Sequence, residues 1–322
     1  MKKLISIITP CYNEEGNVFN MYQAIVDIMS DLPQYEYEHI FIDNSSQDQT
    51  PAILRGIARQ DKRVKVILNA KNFGPDRSGS YAFFQSSGDA TICLACDFQD
   101  PPALIPQFIK LWEQGYKVAW GKKETSAESR LAFAIRTLYY KIIKSFSDVQ
   151  QYEHVTGFGL YDRSVVDLMR SAEDPSPNFR NLIADYGIEI GFICYDQPAR
   201  KAGKSSYNFF RYFDTAMRSL INTSRAPLRL ATFAGFIMSI VSFLIALFYL
   251  VFKLVYWNSF NPGTAPVVIG LFFLGSVQLF YIGIIGEYIG EILTRVTKRP
   301  LVVEKERLNF EKQDQTDHAA EK

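Results

Sequence analysis

The chain has 322 residues, and its 35 lysines and arginines balance 34 aspartates and glutamates. This length allows a full α/β domain and a smaller second part, while the balanced charge excludes a general attraction to nucleic acid. Four cysteines, at positions 11, 93, 96 and 194, have no accompanying histidine cluster, so zinc is not indicated. We expect reduced thiols in a cytoplasmic domain that is not exported, because no apolar stretch precedes the first strand.

The first 120 residues alternate apolar strands with helices. Strands are predicted at residues 4–9, 38–43, 64–68, 90–94 and 116–120, and helices at 18–29, 76–85 and 103–113. Such alternation predicts a mainly parallel sheet with helices on both faces. Ligands of these sheets lie at the carboxyl ends of the strands, so the informative loops are 10–15, 43–48 and 97–100.

The third of these loops reads DFQD and follows an apolar strand. Asp97 and Gln99 are two residues apart, which places both side chains on one face of an extended segment. Oxygen ligands with one carboxylate suit Mg²⁺ or Mn²⁺, which usually joins a protein to substrate phosphates. The pattern therefore predicts a metal-bound nucleoside diphosphate, although such a cluster read alone is more often a helix cap or a turn.

The first two loops are polar as well. Residues 13–15, NEE, have an alternative interpretation as a helix cap, and residues 43–48, DNSSQD, one as turn and N-cap residues. Three acidic loops at one sheet edge repel one another unless a cation or hydrogen-bond donor lies between them, which favours a nucleotide with its metal. Neither a G-x-x-x-x-G-K-[ST] loop nor a G-x-G-x-x-G after the first strand is present, so the phosphates need the metal and cations elsewhere.

Two long apolar runs, 230–251 and 265–285, are each long enough to cross a ~30 Å hydrocarbon layer. The short link at 257–263 predicts an antiparallel hairpin, and the basic residues outside the two runs place the soluble domain and both termini in the cytoplasm. Residues 207–224 show apolar positions at helical spacing, which predicts an interfacial amphipathic helix or, alternatively, a domain-packing helix. The basic cluster just before it is typical of a contact with anionic lipids.

The motifs resemble, in order and spacing, those of the inverting family 2 glycosyltransferases of the GT-A fold. They are IITPCYNE at 7–14, IDNSSQDQT at 42–50, NFG at 72–74, GD at 88–89 and DFQDPP at 97–102. Three further motifs are similar to the branch that moves a sugar onto a polyprenyl phosphate, which includes bactoprenol glucosyltransferases and dolichol-phosphate mannose synthases. These are TGFGLYDR at 156–163, RKAGKS at 200–205 and GEYIG at 286–290.

The resemblance covers the chain to about residue 310 and implies roles for individual residues. Those expected around the donor nucleotide are Pro10, Tyr12, Asn13, Glu14, Asp43 and Asn72. The catalytic residues it implies, Asp97 and Gln99, would hold Mg²⁺ or Mn²⁺ on the diphosphate. Those expected to hold the acceptor phosphate are Arg200, Lys204 and Ser205.

Three departures from the family pattern bear on these roles. Residues 95–97 read ACD where the branch often has Asp-Ala-Asp, so Asp97 is the only carboxylate on that strand end. Residues 43–44 read DN where the branch often has two acids. Residues 157–159 read GFG where it often has Asp-Phe-Arg, which removes a carboxylate that is usually regarded as a candidate base.

Two nearby carboxylates are expected to be structural. Asp162, the nearest remaining carboxylate to the missing base, is expected to pair with Arg163 or to cap a helix that starts near Ser164. Asp100 is followed by two prolines, which are typical of a helix start, so a capping role is expected for it too.

Together, these expectations predict the domain organisation of the chain. Residues 1–204 form a cytoplasmic GT-A (Rossmann-like) α/β domain, 205–229 juxtamembrane amphipathic helices, 230–290 a two-helix transmembrane hairpin and 291–322 a cytoplasmic tail. The resemblance implies a multi-pass enzyme of the plasma (inner) membrane that transfers a hexose, with glucose from UDP-glucose as the first choice, to undecaprenyl phosphate with inversion.

Two other functions stay open at this point. A processive polysaccharide synthase is less favoured because that class resembles proteins with a Gln-x-x-Arg-Trp motif, which this chain lacks. A membrane-anchored binding or scaffold protein with a decayed site would explain the lost carboxylates. The partners implied are the nucleotide sugar, the polyprenyl phosphate and membrane lipids, and the class also allows a homo-oligomer and a downstream flippase.

Overall fold

The computed structural model describes residues 2–124, 152, 155–172, 174, 179–198, 226–255, 264–297 and 299–310. The chain divides into two compact units. The first comprises Met1–Thr137, Val149–Ser206 and Lys298–Lys322, and the second comprises Leu138–Asp148 and Tyr207–Thr297.

The first unit is an α/β domain. Its strands are β1 (Lys3–Cys11), β2 (Tyr35–Asp43), β3 (Val64–Asn69), β4 (Ala90–Cys93), β5 (Val118–Lys123), β6 (Val155–Asp162), β7 (Ile190–Tyr195) and β8 (Glu304–Leu308). Its helices are α1 (Val18–Ser30), α2 (Thr50–Gln60), α3 (Pro75–Phe84), α4 (Ile105–Glu113), α5 (Arg163–Ser171) and α6 (Phe179–Asp185). A short 3₁₀ turn, Pro102–Leu104, leads into α4.

The strands form one sheet in the order β7-β5-β6-β4-β1-β2-β3-β8. Neighbouring strands are parallel except where β6 and β8 pair with their neighbours. In the register, Cys11 lies opposite Asp43, and Ile8 lies opposite Cys93. The parallel strands therefore end at one edge, where their loops meet, and the predicted mainly parallel α/β sheet is confirmed.

The two faces of the sheet bury different sets of apolar residues, because successive side chains of a strand point to opposite faces. Ile7 packs in a cluster with Val18 of α1, Leu54 of α2 and Phe108 of α4. Its neighbour Ile8 faces the other way and packs with Ala82 and other residues. Helices thus cover both faces, which confirms the expectation from the alternating elements.

The predicted elements of the first 120 residues all occur within a few residues of their expected ends. The structure adds two helices, α2 and α6, and three strands that the sequence analysis does not predict, β6, β7 and β8. The last of these comes from 291–322, which was expected to be a tail, and it pairs antiparallel with β3.

The second unit contains two long helices, α7 (Ala226–Val255) and α8 (Thr264–Val296), where the two apolar runs were predicted to span a membrane. Among the described residues, Phe273–Val296 is long and apolar enough to cross a membrane, and α7 holds a shorter apolar stretch, Ala231–Ile245. In the part of the chain that the structure describes, one helix is therefore long and apolar enough to span a membrane. The two-helix transmembrane hairpin stays a prediction. The predicted amphipathic helix at 207–224 and the link at 257–263 lie outside the described residues.

Candidate functional site

Strained backbone marks the three loops at the carboxyl ends of β1, β2 and β4. Asn13, Ser45 and Phe98 have positive φ angles of 56°, 66° and 61°. This left-handed conformation is uncommon for residues other than glycine, and most of all for a bulky one such as phenylalanine. Because strained residues cluster at binding and catalytic sites, this edge of the sheet is the candidate site.

The loops after β1 and β2 are joined by reciprocal hydrogen bonds. The backbone N–H of Asn13 donates to Ser46 Oγ at 2.8 Å, and the N–H of Gln47 donates to Asn13 Oδ1 at 2.9 Å. The N–H of Glu15 donates to Asp48 Oδ2 at 3.1 Å. Backbone donors therefore compensate part of the acidic charge that was expected to require a bound cation.

Neither loop supplies a side-chain N-cap to the helix that follows it, but the loop after β2 does form a turn. Asp48 Oδ1 accepts from the N–H of Thr50 at 2.9 Å at the start of α2. Burial acts to raise the pKa of Asp48, but the hydrogen bonds from Thr50 and Glu15 lower it below its ordinary value. Asp48 therefore forms a turn just before the N-cap of α2, Gln49, which itself has no side-chain cap hydrogen bond, and the turn interpretation of this loop is the one observed. The NEE segment does not cap a helix from position 13, because α1 begins only after Asn17.

Asp43 is buried, with 2% of its surface exposed, and its two carboxylate oxygens differ. Oδ2 accepts from the backbone N–H of Ser46 at 3.0 Å. Oδ1 is buried and has no hydrogen-bond partner among the described residues. Burial raises the pKa of Asp43 against the lowering effect of its hydrogen bonds from Ser46. A buried acceptor without a donor lowers the stability of the fold, so Asp43 Oδ1 is suited to accept a hydrogen bond from an N–H or O–H group of a bound molecule.

Asn44 connects this carboxylate to residues 70–74, which we call the NFG loop. Its Nδ2 donates to Asn72 Oδ1 at 3.0 Å, and its Oδ1 accepts from the backbone N–H of Phe73 at 2.9 Å. Asn69 Nδ2 also donates to Asn44 Oδ1, at 3.2 Å. A carboxylate cannot donate to Asn72, so this network gives a physical reason for asparagine where the branch often has a second acid.

The remaining predicted nucleotide residues lie on the same edge. Pro10 is half-buried near the end of β1, and a Cβ added to Gly79 of α3 would lie 3.6 Å from Pro10 Cγ. Tyr12 is 39% exposed in the loop after β1, and Glu14 Oε2 accepts from Asn17 Nδ2 at 2.7 Å. The structure therefore brings together all six predicted nucleotide residues, on loops that contact one another.

A cavity of about 550 Å³ opens between the loops after β1 and β2. This volume lies within the usual range for ligand pockets, roughly 300–1,000 Å³. Its lining residues are Asn13, Glu14, Glu15, Gly16, Asn17, Gln47 and Asp48. Asp43 and Asp97 do not line it, so the cavity borders the candidate site and does not define it.

Asp97 is buried, with 5% of its surface exposed, and its Oδ1 accepts from the backbone N–H of Gln99 at 3.1 Å. The described residues contain no group of three or more histidine, cysteine, aspartate or glutamate side chains that could hold a metal. One carboxylate with one amide oxygen fits Mg²⁺ or Mn²⁺ that keeps waters and shares substrate phosphates, and does not fit an all-protein cage. The donor set thus suits a metal that arrives with a diphosphate.

The expected capping role of Asp100 is wrong. Its Oδ2 accepts from the backbone N–H of Ala95 at 3.2 Å, and its Oδ1 accepts from the Tyr195 hydroxyl at 3.2 Å. Burial raises the pKa of Asp100. Its side chain turns back toward the strand ends because these donors lie there, and it links the loop after β4 to the end of β7.

Lys123 is a candidate site residue that the sequence analysis missed. It ends β5 at the same edge, opposite Tyr195 in the register, and its positive charge acts to lower the pKa of Asp100. The signal available in the sequence was the pair of lysines that follows the apolar strand, Lys122 and Lys123. A cation here can meet an anionic ligand next to Asp97.

Asp162 lies at the opposite edge of the sheet. Because β6 runs antiparallel to β4, Asp162 pairs with Ala90 at the start of β4, and Gly159 pairs with Cys93 at its end. Three residues of strand span about 10 Å, and the loop that carries Asp97 lies beyond that distance. The remaining carboxylate is therefore too far from the candidate site to act as its base.

The helix-capping alternative for Asp162 is confirmed. Asp162 precedes α5, and its Oδ1 accepts from the backbone N–H of Ser164 at 3.1 Å. Its Oδ2 accepts from Trp112 Nε1 at 2.7 Å. The alternative pairing with Arg163 does not form, because that guanidinium donates to the carbonyl of Ser86 at 2.8 and 2.9 Å.

Two glycines explain the unusual GFG sequence of β6. Gly157 has a φ of +91°, which favours glycine, and its carbonyl accepts from the Tyr161 hydroxyl at 2.7 Å. A Cβ added to Gly159 would lie 2.1 Å from the carbonyl oxygen of Ala119. This backbone therefore excludes the Asp-Phe-Arg sequence at these positions. The other predicted site residues, Arg200, Lys204 and Ser205, lie outside the described residues.

Comparisons with a family model and with known proteins agree on one family. The family model described as "Glycosyl transferase family 2" matches residues 6–168. A relative named "Uncharacterized glycosyltransferase YkcC" from Bacillus subtilis is 32% identical over 300 residues, covering 92% of each chain. The "SfII prophage-derived bactoprenol glucosyl transferase" of Shigella flexneri is 30% identical over 297 residues, covering 92% of this chain and 96% of that protein.

A solved structure is also similar, though more distantly. Glucosyl-3-phosphoglycerate synthase from Mycobacterium tuberculosis, in complex with Mn²⁺, UDP and phosphoglyceric acid, has a TM-score of 0.46 and 16% identity. The match covers 68% of this chain and 76% of that one. The family model and the two relatives establish the family independently of this solved structure. The regions that they match include every loop of the candidate site. The chain is a glycosyltransferase and belongs to glycosyl transferase family 2.

Proposed function

We propose that this glycosyltransferase moves glucose from a nucleotide sugar, UDP-glucose, onto a polyprenyl phosphate with inversion at the anomeric carbon. Relatives named as bactoprenol glucosyl transferases support the proposal, because their similarity extends over 92% of this chain and is not confined to the nucleotide-binding half. This similarity includes the region of α7 and α8, and it supports a polyprenyl phosphate as the acceptor.

One observation of the structure carries the donor side of this proposal. Asp43 Oδ1 is a buried acceptor with no donor among the described residues, on an edge that also holds Asp97. The N–H of a nucleobase such as uracil, or a ribose hydroxyl, would supply that donor. The exposed ring of Tyr12 lies in the adjoining loop, where it can cover a base.

The charges at this edge suit a diphosphate leaving group. Mg²⁺ or Mn²⁺ bound by Asp97 and Gln99 would neutralise the negative charge that grows on the departing nucleoside diphosphate. Lys123, at the end of β5, adds a fixed positive charge on the same edge. Together they account for phosphate binding in a chain without a glycine-rich phosphate loop.

The acceptor phosphate is its own nucleophile. A phosphate monoester has its second ionisation near pH ~6, so at cytoplasmic pH an acceptor oxygen is already charged and needs no general base. This oxygen forms the new bond to the anomeric carbon while the bond to the nucleoside diphosphate breaks on the opposite face, which gives inversion. We propose that Arg200, Lys204 and Ser205 hold this phosphate, where two anions must meet.

The location follows from the acceptor, which is a membrane lipid. We propose that α7 and α8 form a transmembrane hairpin in the plasma (inner) membrane, with the α/β domain and both termini on the cytoplasmic side. The apolar stretches Phe273–Val296 and Ala231–Ile245 support this arrangement, as does the excess of basic residues outside the two predicted spans.

The test is nucleotide release by the full-length protein in detergent or nanodiscs, with a panel of UDP- and GDP-sugars and Mg²⁺ or Mn²⁺. We expect UDP release from UDP-glucose that requires added undecaprenyl phosphate and forms a lipid-linked hexose. A processive synthase would release nucleotide and form polymer without the lipid. A decayed site would bind nucleotide and release none with any donor. Either of these results would overturn the proposal.

A further inference from the structure

The segment that follows α8 in the chain returns to the α/β domain. We call residues 299–308 the C-terminal strap. It ends in β8, which is the outermost strand on one side of the sheet and pairs with β3. Val302 within it is buried, with 5% of its surface exposed. The strap is thus part of the domain that contains the candidate site, although it is remote from that domain in sequence.

The strap holds the NFG loop and the start of α3. The backbone N–H of Ala70 donates to the carbonyl of Val303 at 2.9 Å. Arg77, in the first turn of α3, donates from Nη2 to the carbonyl of Pro300 at 2.6 Å. Both contacts lie at the carboxyl end of β3, which is the end that faces the candidate site.

Side chains of β8 hold the flanking helices. Arg307 Nη2 donates to Gln85 Oε1 at 2.8 Å and to the Tyr81 hydroxyl at 3.2 Å, at the far end of α3. Glu306 accepts from Arg55 of α2 at 2.8 Å. The Arg307 side chain is only 10% exposed, so these contacts are screened little by solvent.

The same loop and helix contact the residues proposed to bind the donor. Asn72 of the NFG loop accepts from Asn44, which directly follows Asp43 in the chain. Gly79, in the middle of α3, lies against Pro10. The strap therefore touches one side of the NFG loop and α3, and the donor site lies on their other side.

We propose that the C-terminal strap positions the donor site, so that affinity for the nucleotide sugar depends on the contacts of Pro300 and Arg307 with α3. The inference rests on the proposed donor and adds a positioning element to it. Arg77 and Arg307 are positioning residues that act through the NFG loop and α3. Loosening either contact lets Asn72 and Pro10 move away from the geometry that the nucleotide needs.

The test compares point variants of the full-length protein. UDP with Mn²⁺ is titrated into wild type, Arg77→Met and Arg307→Met, and the KM values for UDP-glucose and undecaprenyl phosphate are measured separately. Loosening an internal contact weakens binding by lowering the fraction of molecules in the binding-competent geometry, so a fall of that fraction to about 10–20% would raise the donor KM and the UDP Kd by about five- to tenfold in both variants. The acceptor KM and kcat should stay within about twofold.

Two further variants act as controls. Lys117→Met is the control outside the strap, because it removes a charged hydrogen bond, from Lys117 Nζ to Asp162 Oδ1 at 3.0 Å, that involves neither α3 nor the NFG loop. It should leave both KM values unchanged. Arg77→Lys keeps a donor for the Pro300 carbonyl and should recover most of the UDP affinity. If Arg307→Met does not fold, Gln85→Met replaces it, because it removes the acceptor at the end of α3 that Arg307 holds at 2.8 Å.

The outcomes separate the two proposals. If wild type binds UDP and both strap variants bind it equally well, the strap proposal alone fails. If Arg77→Met weakens binding but the loss of the contact between Arg307 and Gln85 does not, Arg77 acts directly on the nucleotide and the strap has no positioning role. If wild type binds neither UDP nor GDP, the proposed function fails, and the inference built on it fails too.

Discussion

Replacing Asp162 by asparagine tests whether the carboxylate nearest to the missing family base is structural or catalytic. The carboxylate accepts hydrogen bonds from Trp112 Nε1 at 2.7 Å, Lys117 Nζ at 3.0 Å and the backbone N–H of Ser164 at 3.1 Å. An asparagine side chain keeps the size but loses the charge and one acceptor. The change therefore weakens the N-cap of α5 and its link to α4.

The lowered pKa of Asp162 sets the expected loss of unfolding free energy in Asp162→Asn. Burial acts to raise this pKa, but the hydrogen bonds from Ser164, Trp112 and Lys117 lower it from 3.8 to about 2. A shift of nearly two units corresponds to at most ~2.5 kcal/mol. The Lys117 side chain is 56% exposed, so solvent screening reduces the expected loss to about 1–2 kcal/mol.

The sign of the pH dependence follows from the lowered value. The charged carboxylate stabilises the fold fully above its unfolded pKa, near ~4, and the stabilisation is lost as the pH falls through about 2. The difference in stability between wild type and Asp162→Asn should therefore be constant at neutral pH and decrease between pH ~4 and ~2.

The assay combines thermal unfolding, followed by tryptophan fluorescence, with steady-state nucleotide release. We expect Asp162→Asn to lower the Tm by about 3–6 °C and to change kcat by less than about threefold. The control is Asp167→Asn on the same helix, because Asp167 is 53% exposed and pairs with Arg163 and Arg170 at 3.5 and 3.4 Å. It should cost under ~0.5 kcal/mol.

Two results would refute a purely structural role for Asp162. A general base contributes about 10²–10⁴-fold, so a loss of kcat on that scale in a folded Asp162→Asn protein would show that this residue takes the proton. An unchanged Tm would show that the hydrogen bonds of Asp162 do not stabilise the fold.

Three further results are expected. Asp97→Asn should lower kcat/KM by about 10²-fold or more without changing the Tm, and excess chelator should inhibit wild type; near-normal turnover in either experiment contradicts the metal proposal. Asp43→Asn should raise the donor KM about tenfold and leave the lipid KM unchanged, since the buried Oδ1 is proposed to meet only the nucleotide. The rate of wild type should rise with pH through a single ionisation near ~6 that belongs to the lipid phosphate; a second ionisation of the enzyme would point to a base.

The sequence was sufficient where local patterns agree with burial. The strands β1 to β4 are apolar runs that the sheet buries, so their hydrophobicity alone predicted them, and the loops that follow could be placed at one edge because the strands are parallel. The six nucleotide residues were brought together for the same reason. Resemblance, and not chemistry, supplied their individual roles.

The sequence was insufficient where tertiary contacts decide the conformation. β8 has the sequence EKERL, which has no apolar alternation, and it is a strand because β3 offers a free edge and Arg55 pairs with Glu306. Asp100 was misassigned because its partners, Ala95 and Tyr195, include one that is 95 residues away. Gly157 and Gly159 could not be interpreted before their backbone angles and neighbours were known.

The position of β8 in the chain has a consequence for biosynthesis. Its residue Glu306 pairs with Arg55, which is 251 positions earlier, and both long helices of the second unit lie between them in sequence. A ribosome therefore completes α7 and α8 before it makes the strand that finishes the sheet. Until then β3 has an exposed edge, which is a site where chains aggregate. The α/β domain produced without the residues that follow α8 should be prone to misassembly, even with every predicted nucleotide residue present.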